Sequence, residues 1–416
     1  MTVLRGDARR LPLADASVDL IVTSPPYWAL RSYTDGGEHY VGQIGSEPTP
    51  AEFVDNLIEC TAEWMRVLKP TGSMWVNLGD KYSTSLYANN VIRNVPQADG
   101  EWSMTGQRGK PNIQPGRQDP GVPPKSLIGL PWRYAIRCID DLGLVLRAEV
   151  IWSKPNGLPE SVTDRVRRSH ETWFHLTKEP RYFAAVDAVR EQYDGDRALS
   201  RRIKQPGAGK HAQRAAWTDE NPLGKMPGSV WEIATQPLTV PAELGVDHFA
   251  AFPLAWPRRI IQGWSPSGIC TACGEGRRPV THTPSATGIV KRANAAATEA
   301  PRGLGATSGL VLSGSPRQRW RAENPTVLLG EACACPDTSA PTRPAVVLDP
   351  FGGTGTTALV ADVLGRRGIS VDMSADYCRL AAWRTTDPGE RARALEVPKP
   401  PAVAPAQLDL FTEVSL

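Results

Sequence analysis

The apolar positions of this chain come in two rhythms. Short, mainly apolar runs bounded by turn residues predict buried strands. Such runs are VDLIV (18–22), SMWVNLGD (73–80), AVVLD (345–349) and GISVD (368–372). Between them the spacing lengthens to that of a helix. Leu57, Ile58, Thr61, Trp64, Met65 and Leu68 fall on one helical face over 55–68, which ends at the stop signal Lys69-Pro70-Thr71-Gly72. Residues 131–152 predict a helix, a glycine break and a strand, and TALVADVLG (357–365) predicts another helix. Strands alternating with helices specify an α/β fold with a doubly wound, mainly parallel sheet. Three stretches lack either rhythm: a long loop at 83–124, a polar segment at 193–228, and a Ser/Thr/Ala/Gly/Pro-rich run from Ser265 to Pro344. From Thr385 onward the composition predicts a disordered tail, apart from its last residues.

The 416-residue length suits two or three folded units. A net charge of +3 permits a polyanionic partner without demanding one. No apolar run approaches a membrane span and the N-terminus has no signal-peptide core, so the expected setting is the cytoplasm. Seven cysteines in a chain this long do not make a disulfide scaffold, which fits a reducing compartment.

AVVLDPFGGTGTTALVADVLG is a strand, a glycine-rich turn and a helix. Gly352, Gly353 and Gly355 let backbone approach a ligand, and the helix after Thr356 offers free N–H groups. Asp349 closes the strand, where it can accept a bond from a cationic or amino group. Asp372 closes the next strand, where a carboxylate can hold ribose hydroxyls. A glycine turn of this kind also serves purely structural ends, but Pro350, Phe351 and Asp372 in place favour a ligand. The glycines do not spell GxGxxG and no GK[ST] follows, which disfavours a dinucleotide or a nucleoside triphosphate. One ribose, an amino-acid end and no pyrophosphate describe S-adenosylmethionine.

The strand at 18–22 runs into Ser24-Pro25-Pro26-Tyr27-Trp28. Two prolines remove two donors and fix two φ angles, so no sheet ladder continues through them. What remains is a rigid loop presenting a hydroxyl, backbone carbonyls and flat rings.

With TSPPY at 23–27 and DPFGGTGTT at 349–357, the chain resembles the amino-methylating DNA methyltransferases, in the group that places the catalytic motif before the cofactor motif. HFAAFPLAWPRRII (248–261) is similar to that family's Phe-Pro motif and helix, with Phe252 and Pro253 on the cofactor side. WSKPNGLPES…SHETWFHLTK (152–178) is similar to the block that closes its catalytic half. The resemblance implies a class I methyltransferase fold of Rossmann type with permuted motif order, a base flipped out of the duplex, and a cofactor contact from Asp7. It divides the chain into a catalytic half (1–192), a target-recognition segment (193–246), a cofactor half (247–384) with an insertion at 266–342, and a tail (385–416).

An exocyclic amino group is a poor nucleophile, because its lone pair is delocalised into the ring. The Ser24 hydroxyl and the Pro25 carbonyl can accept its two N–H bonds and localise that pair. Tyr27 can stack on the base, worth about 1–3 kcal/mol, and Pro26 fixes the turn. Methylation at carbon 5 needs a cysteine nucleophile instead, and Cys60, Cys138 and Cys378 lie in helical contexts with no preceding proline. In the family the serine form of the motif goes mainly with N4 of cytosine and the aspartate form with N6 of adenine. N4-cytosine is therefore the expected target and N6-adenine the alternative. A glutamine-side-chain protein methyltransferase, and an inactive DNA-binding accessory protein, fit the motifs less well.

Three further features need partners. Arg197, Arg201, Arg202, Lys204, Lys210 and Arg214 form a basic run without an acid, suited to phosphates or guanine. Cys270-x-x-Cys273 and Cys333-x-Cys335 suit a structural zinc in the insertion. Gln407-Leu408-Asp409-Leu410-Phe411 resembles the peptide by which bacterial replication proteins dock on the sliding clamp.

Overall fold

In chain order the strands are β1 (Thr2–Arg5), β2 (Val18–Thr23), β3 (Thr34–Asp35), β4 (Glu38–His39), β5 (Leu68–Leu78), β6 (Val145–Ser153) and β7 (His170–Thr177). They continue with β8 (Val230–Glu232), β9 (Ile269–Cys270), β10 (Arg278–His282), β11 (Val327–Ala332), β12 (Thr342–Arg343), β13 (Val346–Asp349) and β14 (Arg367–Asp372). The helices are α1 (Pro50–Val67), α2 (Leu130–Asp140), α3 (Ala255–Trp264), α4 (Thr356–Val363), α5 (Ala375–Thr386) and α6 (Pro388–Leu395). This computed structural model describes residues 1–29, 34–35, 38–39, 42–83, 122–157, 159–192, 223–246, 251–282, 324, 327–335 and 339–399. The basic run 197–214, most of the 83–124 loop and the peptide 407–411 lie outside the described residues.

Two units share the chain. One comprises Met1–Tyr182, Ser229–Ile261 and Ala345–Leu416; the other comprises Phe183–Gly228 and Gln262–Pro344. The first holds an eight-stranded sheet in the order β1-β14-β13-β2-β5-β7-β6-β8. From β1 to β5 all neighbours are parallel; β7 runs antiparallel to both β5 and β6, and β8 returns parallel to β6. This is the mainly parallel α/β sheet that the alternating pattern specifies. The central strands β2 and β13 are mainly apolar and almost wholly buried, since both their faces are covered.

Local signals set the helix boundaries. Thr49 and Glu52 cap α1 reciprocally at 3.2 Å each, with Pro50 in the first turn. The buried face of α1 includes Phe53, Leu57, Thr61 and Trp64, so the periodicity was read correctly but its start was placed five residues late. Residues 69–72 form the exposed beginning of β5 rather than a separate turn. On the far side of the sheet a tryptophan cluster packs: Trp173 and Trp231 each stack on Trp256 at 4.9 Å. Beside it His175 stacks on Trp75 at 4.5 Å, and burial pushes its pKa down to about 3.

Two expectations need correction. The tail was expected to lose structure from Thr385, yet α5 runs to Thr386 and α6 follows. Asp387 caps α6, accepting from the Glu390 amide at 2.8 Å, and Pro388 fills its first turn. This local N-cap signal prevails over the Pro- and Ala-rich composition of the tail. The boundary at 246 also shifts: residues 230–232, expected in the target-recognition segment, pair with β6 as the last strand of the main sheet.

The second unit is built differently. Its described residues form two small antiparallel ribbons, β9 with β12 and β10 with β11.

Candidate active site

β2 and β13 are parallel neighbours, with Leu20 opposite Val347 and Ile21 opposite Leu348. The loops leaving their carboxyl ends, Ser24–Tyr27 and Pro350–Thr356, therefore emerge side by side. In an open α/β sheet this is the crevice where ligands bind. One cavity is lined by Ser24, Pro25, Pro26 and Tyr27 from the first loop, and by Pro350, Phe351, Gly352, Gly353, Thr354 and Thr356 from the second. Gly6, Asp7, Asn77, Trp152, Lys154, Glu171, Phe252, Asp372, Met373 and Tyr377 complete most of the wall.

On the catalytic side, Ser24 Oγ donates to Asn77 Oδ1 at 3.2 Å. The Asn77 amide is oriented because its Nδ2 donates to the Thr172 carbonyl at 3.2 Å, turning Oδ1 toward the cavity. The Tyr27 hydroxyl lies 2.6 Å from both Asn77 Oδ1 and Glu171 Oε2, and its single proton goes to one of them at a time. Glu171 Oε1 pairs with Lys154 Nζ, which also sits 4.1 Å from the Trp152 ring centroid. The Tyr27 ring passes where a Gly79 Cβ would be, at 2.6 Å from Cε2, so Gly79 leaves space for it.

On the glycine-loop side, Gly352 has no room for a side chain: a Cβ would meet Ser370 Oγ at 1.8 Å. Gly355 has φ +75° and caps α4 in the left-handed region. Asp372 holds this loop to the next turn, its Oδ2 accepting from the Gly353 amide and its Oδ1 from the Ser374 amide, both at 2.9 Å. Register brings β1 alongside, Arg5 opposite Asp372, which carries Asp7 to the same cavity. Asp7 is engaged by Arg9, with Nη2 to Oδ2 at 2.8 Å; burial alone raises its pKa, but the Arg9 bonds outweigh it and hold the carboxyl below its ordinary range.

Three expected contact residues stand behind the cavity wall. Asp349 is buried and accepts from Thr23 Oγ1 at 2.6 Å, Thr357 Oγ1 at 2.9 Å and the Phe351 amide at 3.1 Å. It ties β2, β13 and α4 together rather than facing a ligand. Burial raises its pKa to about 6 despite those bonds. Pro253 accepts the Trp256 amide at the start of α3, and Gly355 serves as a cap. Phe252 does line the cavity and meets Trp173 edge to face at 5.7 Å.

The residues singled out from sequence did not include Asn77, Lys154, Glu171 or Tyr377. Asn77 interrupts the apolar end of β5, which is a signal in the sequence; Glu171 stands in the mixed strand β7 and carries none. Arg384 and Glu390 were missed as well. Arg384 is buried, donating through Nη1 to Thr354 Oγ1 at 2.9 Å and Thr356 Oγ1 at 2.7 Å, and through Nε to Glu390 at 2.8 Å.

Comparison with known proteins shows the family. The N6/N4 family model described as DNA methylase matches residues 18–270 and 339–382. The Type II methyltransferase M.Cfr9I of Citrobacter freundii is 40% identical over 219 residues, 50% of this chain and 67% of that protein. M.SmaI of Serratia marcescens, also a Type II methyltransferase, is 34% identical over 269 residues, 64% of this chain and 76% of that protein. Among solved structures, the PvuII DNA methyltransferase (cytosine-N4-specific) aligns over 95% of this chain and 89% of its own, with TM-score 0.48 and 18% identity. With a family model spanning most of its length, the chain belongs to the N6/N4 DNA methylase family, the amino-methylating DNA methyltransferases.

Proposed function

We propose that this enzyme transfers a methyl group from S-adenosylmethionine to the exocyclic amino group of a flipped DNA base, N4 of cytosine in preference to N6 of adenine. The observation that carries the proposal is the single cavity shared by the Ser24–Tyr27 and Gly352–Thr356 loops.

The cofactor half of the cavity suits that ligand. Asp7, Glu171 and Asp372 line the cavity and Lys154 is the one lysine or arginine among the described lining residues, so a polyphosphate would find little compensation. Asp372 is placed for ribose hydroxyls, and the glycine loop offers backbone at close range. When bound, S-adenosylmethionine supplies a methyl group activated by its positively charged sulfur.

The protein's own part is to hold and orient the amino group. Ser24 gives its proton to Asn77, which leaves its lone pairs free to accept one N–H. The Pro25 carbonyl accepts the other. Tyr27, fixed at both ring and hydroxyl, provides the stacking face. Lys154 can donate to the ring nitrogen beside the amino group, and Glu171 keeps that ammonium and the Tyr27 hydroxyl in place. The preference for cytosine rests on serine, not aspartate, at position 24.

The likeness to Type II methyltransferases supports a restriction-modification role. The basic run Arg197–Arg214 would neutralise phosphates beside the target. The test is to methylate DNA with the purified enzyme, digest it and identify the nucleoside by mass spectrometry. N4-methylcytosine is expected. N6-methyladenine would move the assignment to the other base, and no methylated base would overturn it.

A further inference from the structure

The second unit has its own chemistry, in residues that take no part in lining the cavity. β9 ends at Cys270, the chain turns through Thr271-Ala272-Cys273-Gly274, and Gly274 takes φ +75°. The turn is closed by backbone bonds: the Gly274 amide donates to the Cys270 carbonyl and the Cys270 amide to the Glu275 carbonyl, both at 2.9 Å. Cys333 enters from a different element, directly after β11. Its arm is tied to the turn by the Ala334 amide, which donates to Glu275 Oε2 at 3.2 Å.

The Sγ atoms of Cys270, Cys273 and Cys333 all lie within 4.8 Å of one another. Thiolates at about 2.3 Å around one tetrahedral ion stand about 3.8 Å apart, so only a small contraction separates the three from ligand positions. Cys335, two residues beyond Cys333 and half-buried, lies outside this group of three. A C-x-C pair brings a second sulfur to an ion that already holds the first.

We propose that Cys270, Cys273 and Cys333 bind one zinc-class divalent ion as thiolates, with Cys335 as the fourth ligand. Each thiol releases its proton on binding, and a soft sulfur set selects zinc over magnesium or calcium. With all four positions filled by protein, the ion is structural. It clamps the end of the β9–β12 ribbon to the end of the β10–β11 ribbon at which Arg278 pairs with Ala332. This goes beyond the methyl-transfer reading and does not depend on it.

The experiment uses the full chain purified without chelator. Metal analysis should find about one zinc per chain, and Cys273→Ser/Cys333→Ser should reduce it at least tenfold. Cys335→Ser should release the ion faster to a chelator. Chelation should expose four thiols to reagent and open residues 262–344 to protease. S-adenosylmethionine binding, measured by calorimetry, should change less than twofold, because every cavity residue belongs to the other unit; this retained binding shows that the variants still fold. Replacing Cys60, buried in α1, should leave the zinc in place. Metal-free wild type with freely reacting thiols, a disulfide among these cysteines, or undiminished zinc in the double variant would overturn the site. Unchanged zinc release by Cys335→Ser would overturn the fourth ligand.

Discussion

At Asn77 one side-chain oxygen meets both the Ser24 and the Tyr27 hydroxyls, so a single amide orients the two groups that the proposed function sets against the base. Asn77→Ala should lower kcat by roughly tenfold while cofactor affinity stays the same, and Ser24→Ala, losing the acceptor itself, should cost roughly a hundredfold. Single-turnover methylation alongside calorimetry separates the two effects. Equal cofactor loss in both variants would mean that the loop had collapsed. Asp349 makes a different prediction, about pH. Its folded-state value of about 6 lies above the ordinary 3.8, so the protonated form favours folding. That stabilisation is complete below about pH 4, is lost as pH rises through 6, and amounts to roughly 3 kcal/mol. Asp349→Asn keeps a neutral side chain and should flatten this slope in urea titrations. His175 acts in the opposite sense. With its value pressed down to about 3, it contributes stability above pH 6.5 and loses it as the solution is acidified.

At the scale of elements, α5 and α6 support the glycine loop through one buried ion pair. Removing one partner of a buried pair costs up to about 3–5 kcal/mol, and here Glu390 keeps Arg393 at 3.2 Å, which lowers that cost. Arg384→Ala should destabilise the protein by up to that amount, read from denaturant melts. It should also weaken S-adenosylmethionine at least tenfold, because Thr354 and Thr356 lose their anchor. The elements most legible in the sequence were those whose two faces are both buried. VDLIV and AVVLD are short, mainly apolar runs and form adjacent central strands. What pattern could not give was pairing across the chain. Nothing local in Glu171 says that it will face Tyr27, because that contact spans 144 positions and is set by the antiparallel register of β7 on β5. The role expected for Asp349 was displaced for a related reason. Strand-end position places a carboxylate near the crevice, but Thr23 and Thr357, known only from the fold, turn it inward.

For the whole molecule, binding to DNA and to a clamp should be separable from the chemistry. Replacing Arg201, Arg202 and Lys204 should weaken DNA binding at all sequences and reduce the salt slope of log K by about 2–3, with cofactor affinity unchanged. If Gln407–Phe411 docks on a sliding clamp, calorimetry should give a micromolar affinity, about −8 kcal/mol. Leu410→Ala/Phe411→Ala should abolish it without slowing methylation of naked DNA. The pairing of β2 with β13 also has a consequence in time. Thr23 and Asp349, bonded at 2.6 Å, are 326 positions apart. A ribosome adding about 5–20 residues per second makes the serine loop roughly 16–65 s before the strand that must lie beside it. Until then the nascent chain carries the serine loop on an uncovered strand edge, without the glycine loop that completes the cavity. Only when β13 and the glycine loop after it have been made is the crevice complete.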